Sequence, residues 1–404
     1  MGPAVKAQPY WAEDIGGAGN DFTADVKTDA AGDIYVTGEF SGNITFLGQS
    51  LSSAGGLDLF VGKIHADGTL AWMVRGGGTG IDRGVKIAVG TNGTVAVAGL
   101  FSGSATFFGT ALTSAGGTPD MMVAVLNATT GAAVWVAQGG GPTGTDRPYG
   151  VSMAADGSVA IVGEFIGAAQ WGSQTMTSTL NGSGVSTTDA FIVDYSSTGA
   201  VNWVKQGAAP ADVRAIDVVH DATGNVYVTG QFSDAITFDV VHANTLQNAT
   251  FLVKLGPTGT ELWFRRLGGA TFNYVRDMLV TSTGQLVLAG DVQGNMIYFG
   301  TTNTTITSTS AYAYYLLKVD GSGSLLGSST LGSGSSVHVA GIDLRNDTVS
   351  AIGSFNCRFS GLGDHYGGQG LFIAVGDEDL FVARHRFSDL GLADGQQFGG
   401  RAGK

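Results

Sequence analysis

Short apolar stretches of strand length recur along this chain, each broken by a turn rich in Gly, Asp, Asn, Ser and Thr. Around residue 24 the pattern is easy to follow. Ala24 to Asp29 reads as one strand, and the turn Ala30-Ala31-Gly32-Asp33 leads to a second, Ile34 to Phe40. After a longer segment, Leu59 to Ile64 reads as a third strand, and Ala66-Asp67-Gly68 turns into a fourth, Leu70 to Arg75. Apolar and aromatic residues fall where strands bury a face, and glycines fall where hairpin turns need positive φ.

The same pattern returns five more times. The glycine closing Tyr35-Val36-Thr37-Gly38 has counterparts at Gly99, Gly163, Gly230, Gly290 and Gly353, spaced 61, 64, 67, 60 and 63 residues apart. Phe40, Phe101, Phe165, Phe232, Val292 and Phe355 follow two residues later. Phe46, Phe107, Trp171, Phe238 and Tyr298 follow eight residues later, and Trp11, Trp72, Trp135, Trp203 and Trp263 form another column. Turn glycines keep the same register at Gly68, Gly131, Gly199, Gly259 and Gly323.

A four-stranded unit of this size cannot bury both faces alone. Arranged radially, each sheet packs on the next, which predicts an all-β fold: a single β-propeller of six blades, each of four antiparallel strands. The repeats run approximately 18–75, 79–138, 142–206, 208–266, 270–330 and 333–400 of one domain spanning 1–404. Six sets of the first three strands accompany seven candidates for the fourth, because residues 9–17 and the tail Asp394-Gly395-Gln396-Gln397-Phe398 both fit. The ring is therefore expected to close by pairing its N- and C-terminal strands, with residues 9–17 as the closing strand. Seven blades is the alternative count.

The segment Asp221-Ala222-Thr223-Gly224-Asn225-Val226-Tyr227-Val228-Thr229-Gly230 resembles the hallmark of the SBBP-type β-propeller repeat, and Asp29 to Gly38 is nearly as good. The resemblance covers essentially the whole chain. It implies a bacterial or archaeal exported or cell-surface protein and supplies no catalytic motif to carry over.

Composition narrows the function. Glycine makes up 66 of 404 residues, while Pro numbers 7 and charged residues are 13 % against a usual ~25 %. With 20 basic and 33 acidic residues the net charge is −13, and no basic cluster suits nucleic acid. No run of apolar residues is long enough for membrane insertion. Met1-Gly2-Pro3-Ala4 offers no basic segment followed by an apolar one, so no signal peptide is read there. The one cysteine, Cys357, precludes an intrachain disulfide.

Candidate chemistry gathers where the repeats join. Seventeen residues before the anchor glycines lie Asp21, Asp82, Asp146, Val213, Asn273 and Ser336, and the next position holds Arg83, Arg147 and Arg214. At a channel rim such residues would grip a polar ligand or a cation; alternatively they form inter-blade salt bridges or cap turns. Asp58, Asp120, Asp189 and Asp379 precede the third strands and fit Asx hydrogen bonds to local backbone. The segments between second and third strands are long, longest in the third and sixth copies, and are read as function-bearing loops forming two walls over one face. Asn43-Ile44-Thr45-Phe46 is read as an extension of the second or third strand. Asn43, Asn92, Asn127, Asn181, Asn248, Asn303 and Asn346 head glycosylation sequons without shared register. The six histidines show no metal spacing, and no cofactor is expected.

These features predict a non-enzymatic, exported or cell-surface binding module for glycan or protein. The alternatives are a structural subunit of an extracellular filament, sheath or surface layer, self-assembling through terminal strands, and an enzyme using the central channel.

Overall fold

The computed structural model describes residues 15–243, 248–308, 312–333, 336–345, 347–356, 358–363, 369–373, 379–390 and 392–398. They are almost entirely β-structure, with only a three-residue 3₁₀ turn, Ala115–Gly117, besides strands. The chain divides into two compact units. One runs through Ile161 and adds Phe165–Thr177 and Asp194–Asn202; the other takes Val162–Glu164, Ser178–Val193 and the chain from Trp203.

Each repeat forms a four-stranded antiparallel meander. In the first, Asp21–Thr28, Ile34–Phe40, Asp58–Ile64 and Leu70–Gly78 pair in chain order. The second repeats this with Arg83–Val89, Thr94–Phe101, Asp120–Asn127 and Ala133–Gly140, and the third with Arg147–Met153, Val159–Ile166, Thr188–Tyr195 and Val201–Gly207. The fourth uses Val213–His220, Val226–Phe232, Ala249–Leu255 and Glu261–Gly268; the fifth, Phe272–Val280, Leu286–Gln293, Tyr312–Val319 and Leu325–Ser333. The sixth comprises Ser336–Arg345, Thr348–Asn356, Asp379–Arg386 and Leu392–Phe398. Within each unit neighbouring meanders pack face to face. Tyr35, Leu59 and Trp72 share a core with Ile87, Val97 and Met122, and Leu252 and Leu267 share one with Leu288 and Tyr315. Consecutive four-stranded meanders packed in this way are the blades of the β-propeller class.

The anchor glycines have a specific cause, and it is not a turn. The first strands carry a bulge opposite them, for example between Ala215 and Asp217. The bulge presses the Arg214 carbonyl onto Gly230, and the Phe251 ring closes from the other side at 2.6 Å from where a Cβ would stand. Only glycine lets backbone and ring approach together.

The tryptophan column ties repeats together. The Trp72 indole N–H donates to the Ala128 carbonyl at 3.1 Å, Trp203 to Pro257 at 3.0 Å and Trp263 to Gly321 at 3.0 Å. Each acceptor lies in the last hairpin turn of the following repeat. There Gly131, at φ +71°, has the Trp72 ring 2.8 Å from its missing Cβ.

Two sequence expectations change. Asn43–Phe46 extends neither strand; with Gln49–Ser52 it forms a separate hairpin across a tight Leu47-Gly48 turn. The long segments of the other repeats also contain hairpins, and these dock on the fourth strand of the preceding repeat. Phe107 thus faces Gly76, and Trp171 faces Gly139. The aromatic column eight residues after the anchor fills the contact left by those glycines, so the hairpin part of each segment extends a sheet, while in the third repeat residues 178–187 continue past the hairpin as a loop. The second change concerns the termini. Leu392–Phe398 pairs with Asp379–Arg386 and is the fourth strand of the sixth repeat, so it is not spare. Gly16–Gly17 pairs with Ile44 and Thr45 of the first hairpin; residues 9–14 of the proposed closing strand lie outside the described residues.

Candidate functional site

The residues singled out at the repeat junctions separate by burial. Asp82, Asp146 and Asn273 are fully buried. Asp82 Oδ2 accepts the Gly78 N–H at 2.7 Å, Asp146 Oδ2 the Gly141 N–H at 2.7 Å, and Asp21 Oδ2 the Gly17 N–H at 2.7 Å. These carboxylates cap the glycine-rich link at the start of the first three repeats, which corrects their placement as an open ligand-gripping ring. The Asn273 side chain is sealed in, while its backbone carbonyl accepts from Gln231 at 3.0 Å. The arginines are exposed, and two are ion-paired: Arg83 to Glu39 at 2.8 Å and Arg214 to Glu164 at 2.6 Å. Arg147 has no such acid, because Leu100 stands where the other two junctions place Glu39 and Glu164. The missed partners follow a readable signal, the position immediately after the anchor glycine: Glu39, Glu164, Gln231 and Asp291. Asp291 takes Arg276 at 2.7 Å and His338 at 3.0 Å.

The Asp58 column does make local backbone bonds. Asp58 accepts from Ala54 N at 2.7 Å, Asp120 from Ala115 N at 2.8 Å, and Asp189 from Thr179 N at 2.8 Å. A side chain on the fourth strand adds a second bond: Arg75 to Asp58, Gln138 to Asp120, Gln206 to Asp189. Burial raises Asp82 and Asp120 to about 6 and Asp146 to about 7.

The hallmark segment is a hydrogen-bond hub. Asp221 Oδ1 accepts Thr223 N at 2.9 Å and Asn225 N at 3.0 Å, and Oδ2 accepts the Tyr227 hydroxyl at 3.1 Å. Burial pushes this carboxyl up, but the bonds from Asn225 and Thr223 outweigh it and hold it at about 2. Asp29 serves Ala31, Asp33 and Tyr35 in the same way.

An open depression lies at the junction of the fourth and fifth repeats. It encloses about 140 Å³ and is lined by Asp212, Arg214, Gln231, Ser233, Asn248 and Tyr274, with Phe232 behind. Tyr274 is half-buried, lies 4.5 Å from the Phe272 ring, and has the Arg276 guanidinium 5.4 Å from its centroid. Of the junction residues named from sequence, Arg214 alone lines this space, joined by the sequon residue Asn248.

The sequon asparagines Asn43, Asn92, Asn127, Asn248 and Asn303 are exposed and Asn181 half-buried; Asn346 lies outside the described residues, as does Cys357. Asn127 and Asn181 cap their own turns, accepting Thr129 N and Ser183 N at 2.9 Å. Among the described residues no group of three or more His, Cys, Asp or Glu side chains surrounds a common point, and no helix is long and apolar enough to cross a membrane.

No family model and no curated protein matches the chain. Among solved structures it is similar to the Dos1 propeller, at 11 % identity over 95 % of this chain and 94 % of that one, with a TM-score of 0.39. It is also similar to quinohemoprotein alcohol dehydrogenase from Comamonas testosteroni, at 11 % identity over 88 % of this chain and 66 % of that one, with a TM-score of 0.38. A europium-containing methanol dehydrogenase gives 11 % identity over 84 % and 81 %, with a TM-score of 0.33.

Proposed function

We propose that this chain is a non-enzymatic, exported or cell-surface binding module, of the SBBP type its repeat resembles, and that its ligand is a weakly charged glycan. The depression beside Tyr274 carries this reading. An aromatic face next to amide, hydroxyl and guanidinium groups suits a sugar ring, whose C–H face stacks on the phenol while its hydroxyls take the polar groups. Asp212, Gln231, Ser233 and Asn248 supply donors and acceptors with little net charge. A glycan array probed with the whole chain, followed by titration of any hit, tests it. Tyr274→Ala is expected to weaken the hit about tenfold or more, the loss of one stacked ring. No hit, or a hit that Tyr274→Ala leaves unchanged, counts against the reading.

A structural subunit of an extracellular assembly is the second reading. It is favoured by half-exposed Leu262 and Leu326, which precede the tryptophan position on the fourth strands. Beyond the glycine ends covered by hairpins those strands keep open edges, a route to lateral pairing. Concentration-dependent light scattering that Leu262→Lys abolishes would support it.

A further inference from the structure

Three turns of the first two repeats, around 28–31, 89–93 and 128–129, border a cavity of about 490 Å³. Its polar side chains include Asp29, Tyr35 and Lys63, with the exposed Thr91 on its wall. Tyr35 is 1 % and Lys63 8 % exposed. The Lys63 ammonium pairs with Asp33 at 2.9 Å and lies 5.1 Å from the Tyr35 ring centroid. An ammonium has three N–H bonds. Asp33 and the Tyr35 hydroxyl take two at most, so at least one is left for the cavity that Lys63 lines. Asp29 Oδ1 accepts Ala31 N and Asp33 N, each at 2.9 Å, and Oδ2 accepts the Tyr35 hydroxyl at 3.2 Å. A carboxylate oxygen accepts twice, so Oδ2 has room for one more donor.

The fourth repeat carries the same three side chains, Asp221, Tyr227 and Lys254, and there the closing turn of the next repeat comes down onto them. Lys254 Nζ donates to the Gly321 carbonyl at 3.3 Å, and a Cβ on Gly321 would stand 3.8 Å from the Tyr227 hydroxyl. That turn bonds Gly323 N to the Asp320 carbonyl, three residues back. Its counterpart over Tyr35 bonds Gly131 N to the Asn127 carbonyl, four residues back. With the extra residue the space over Tyr35 stays open, and Lys63 lacks the carbonyl that serves Lys254. An unmet N–H on a buried ammonium is costly, so the group that meets it comes from whatever fills the cavity.

We propose that this cavity binds a neutral, polyhydroxylated ligand of hexose size. A hydroxyl group accepts from Lys63 and donates to Asp29 Oδ2, and neighbouring hydroxyls on one ring do both at once. Asp29 and Asp33 against Lys63 leave one negative charge, which disfavours a carboxylate or phosphate, while an organic ammonium would meet Lys63 itself. The volume lies within the roughly 300–1,000 Å³ of small-molecule sites. The cavity shares no residue with the depression beside Tyr274 and does not depend on the reading of that depression.

The test titrates the whole chain by calorimetry with glucose, galactose, mannose and myo-inositol, and with sodium acetate and methylammonium chloride as charged probes. Saturable binding of at least one neutral probe is expected, and none of the charged ones. Lys63→Met is expected to weaken that binding about tenfold or more, the loss of a charged hydrogen-bond donor. Thr91→Trp, a change at an exposed wall residue, is expected to obstruct the cavity to a similar extent. It keeps the test decisive if Lys63→Met does not fold by circular dichroism. Tyr274→Ala is expected to leave this binding unchanged, which separates it from any sugar held at the other depression. The proposal is overturned if no neutral probe binds or if a charged probe binds more tightly. It is overturned equally if either folded cavity variant binds as the wild type does, or if Tyr274→Ala abolishes the binding.

Discussion

Trp135 donates its indole N–H to the Ser197 carbonyl at 3.1 Å, and its ring lies 2.8 Å from the Cβ that Gly199 lacks. The pair sits on successive repeats: the tryptophan opens one fourth strand, and the carbonyl belongs to the next repeat's closing turn. Ring, carbonyl and glycine are one device, used also at Trp72 and Trp203; Trp263 keeps the carbonyl bond, to Gly321, while Arg265 stands over Gly323.

Removing one such ring is therefore expected to loosen a repeat junction. Trp72 is buried against Tyr35, with ring centroids 6.4 Å apart. Trp72→Ala is expected to cost roughly 3–5 kcal/mol, and Trp72→Phe about 1 kcal/mol plus the unfilled volume, because the Ala128 carbonyl loses its donor. Urea unfolding followed by circular dichroism checks both. Equal losses for Phe and Ala would mean the indole N–H bond dominates over packing.

The anchor glycine is expected to tolerate nothing larger. Gly230→Ala drives a methyl into the Arg214 carbonyl and the Phe251 ring, and should cost roughly 2–4 kcal/mol. Gly327→Ala is the control: it stands where the fifth repeat lacks its tryptophan and has open space around its Cβ position. It should stay within about 0.5 kcal/mol of wild type in the same urea assay.

Acid should weaken the junction of the fifth and sixth repeats. His385 is fully buried; Nδ1 donates to the Leu390 carbonyl at 3.2 Å, which leaves Nε2 to accept the Tyr314 hydroxyl at 2.8 Å. Burial holds the imidazole at about 4, below its usual 6.5. A depressed folded value means the unfolded chain binds the extra proton. Stability is then full above about pH 6.5, falls as pH drops toward 4, and is flat below, for a loss of up to about 3 kcal/mol. Tm measured from pH 7.5 to 4.5 should flatten in His385→Gln if this group is responsible.

Asp221 works in a lower window. Held at about 2 against a usual 3.8, its contribution is present above about pH 4 and is lost as pH falls through 2. Asp221→Ala should cost roughly 2 kcal/mol at pH 7 and well under about 1 kcal/mol at pH 2, where half the carboxyls are protonated and no longer accept as anions. Urea midpoints at the two pH values give the comparison.

Much of this architecture is legible in the amino-acid order because its causes are local. Turn glycines such as Gly68 and Gly224 need positive φ, and they mark the hairpins residue by residue. The Trp and Phe columns announce surfaces that must be covered. The docking hairpins are harder to see: Asn43–Phe46 and Gln49–Ser52 are only four residues each, and their partner, the glycine end of a fourth strand, looks like a linker. Asp82 and Asp146 misled for a related reason. Charged residues beside Gly77-Gly78 and Gly140-Gly141 suggest a polar rim, yet those backbone N–H groups require buried acceptors. Arg214 was found by its column, whereas Tyr274 and Gln231 become neighbours only through packing of the fourth repeat on the fifth.

Because the hairpin of one repeat rests on the fourth strand of the repeat before it, the unit of sequence is not the unit of inheritance. A segment cut from one anchor glycine to the next carries off a hairpin and abandons the edge it covered, so both pieces are left with raw ends. A viable gain or loss of a copy has to move the whole span from one fourth strand to the next, hairpin included. Gly16–Gly17 lies under Ile44 and Thr45 just as the glycine ends of the fourth strands lie under the other hairpins, so the first hairpin too rests on a glycine-rich edge.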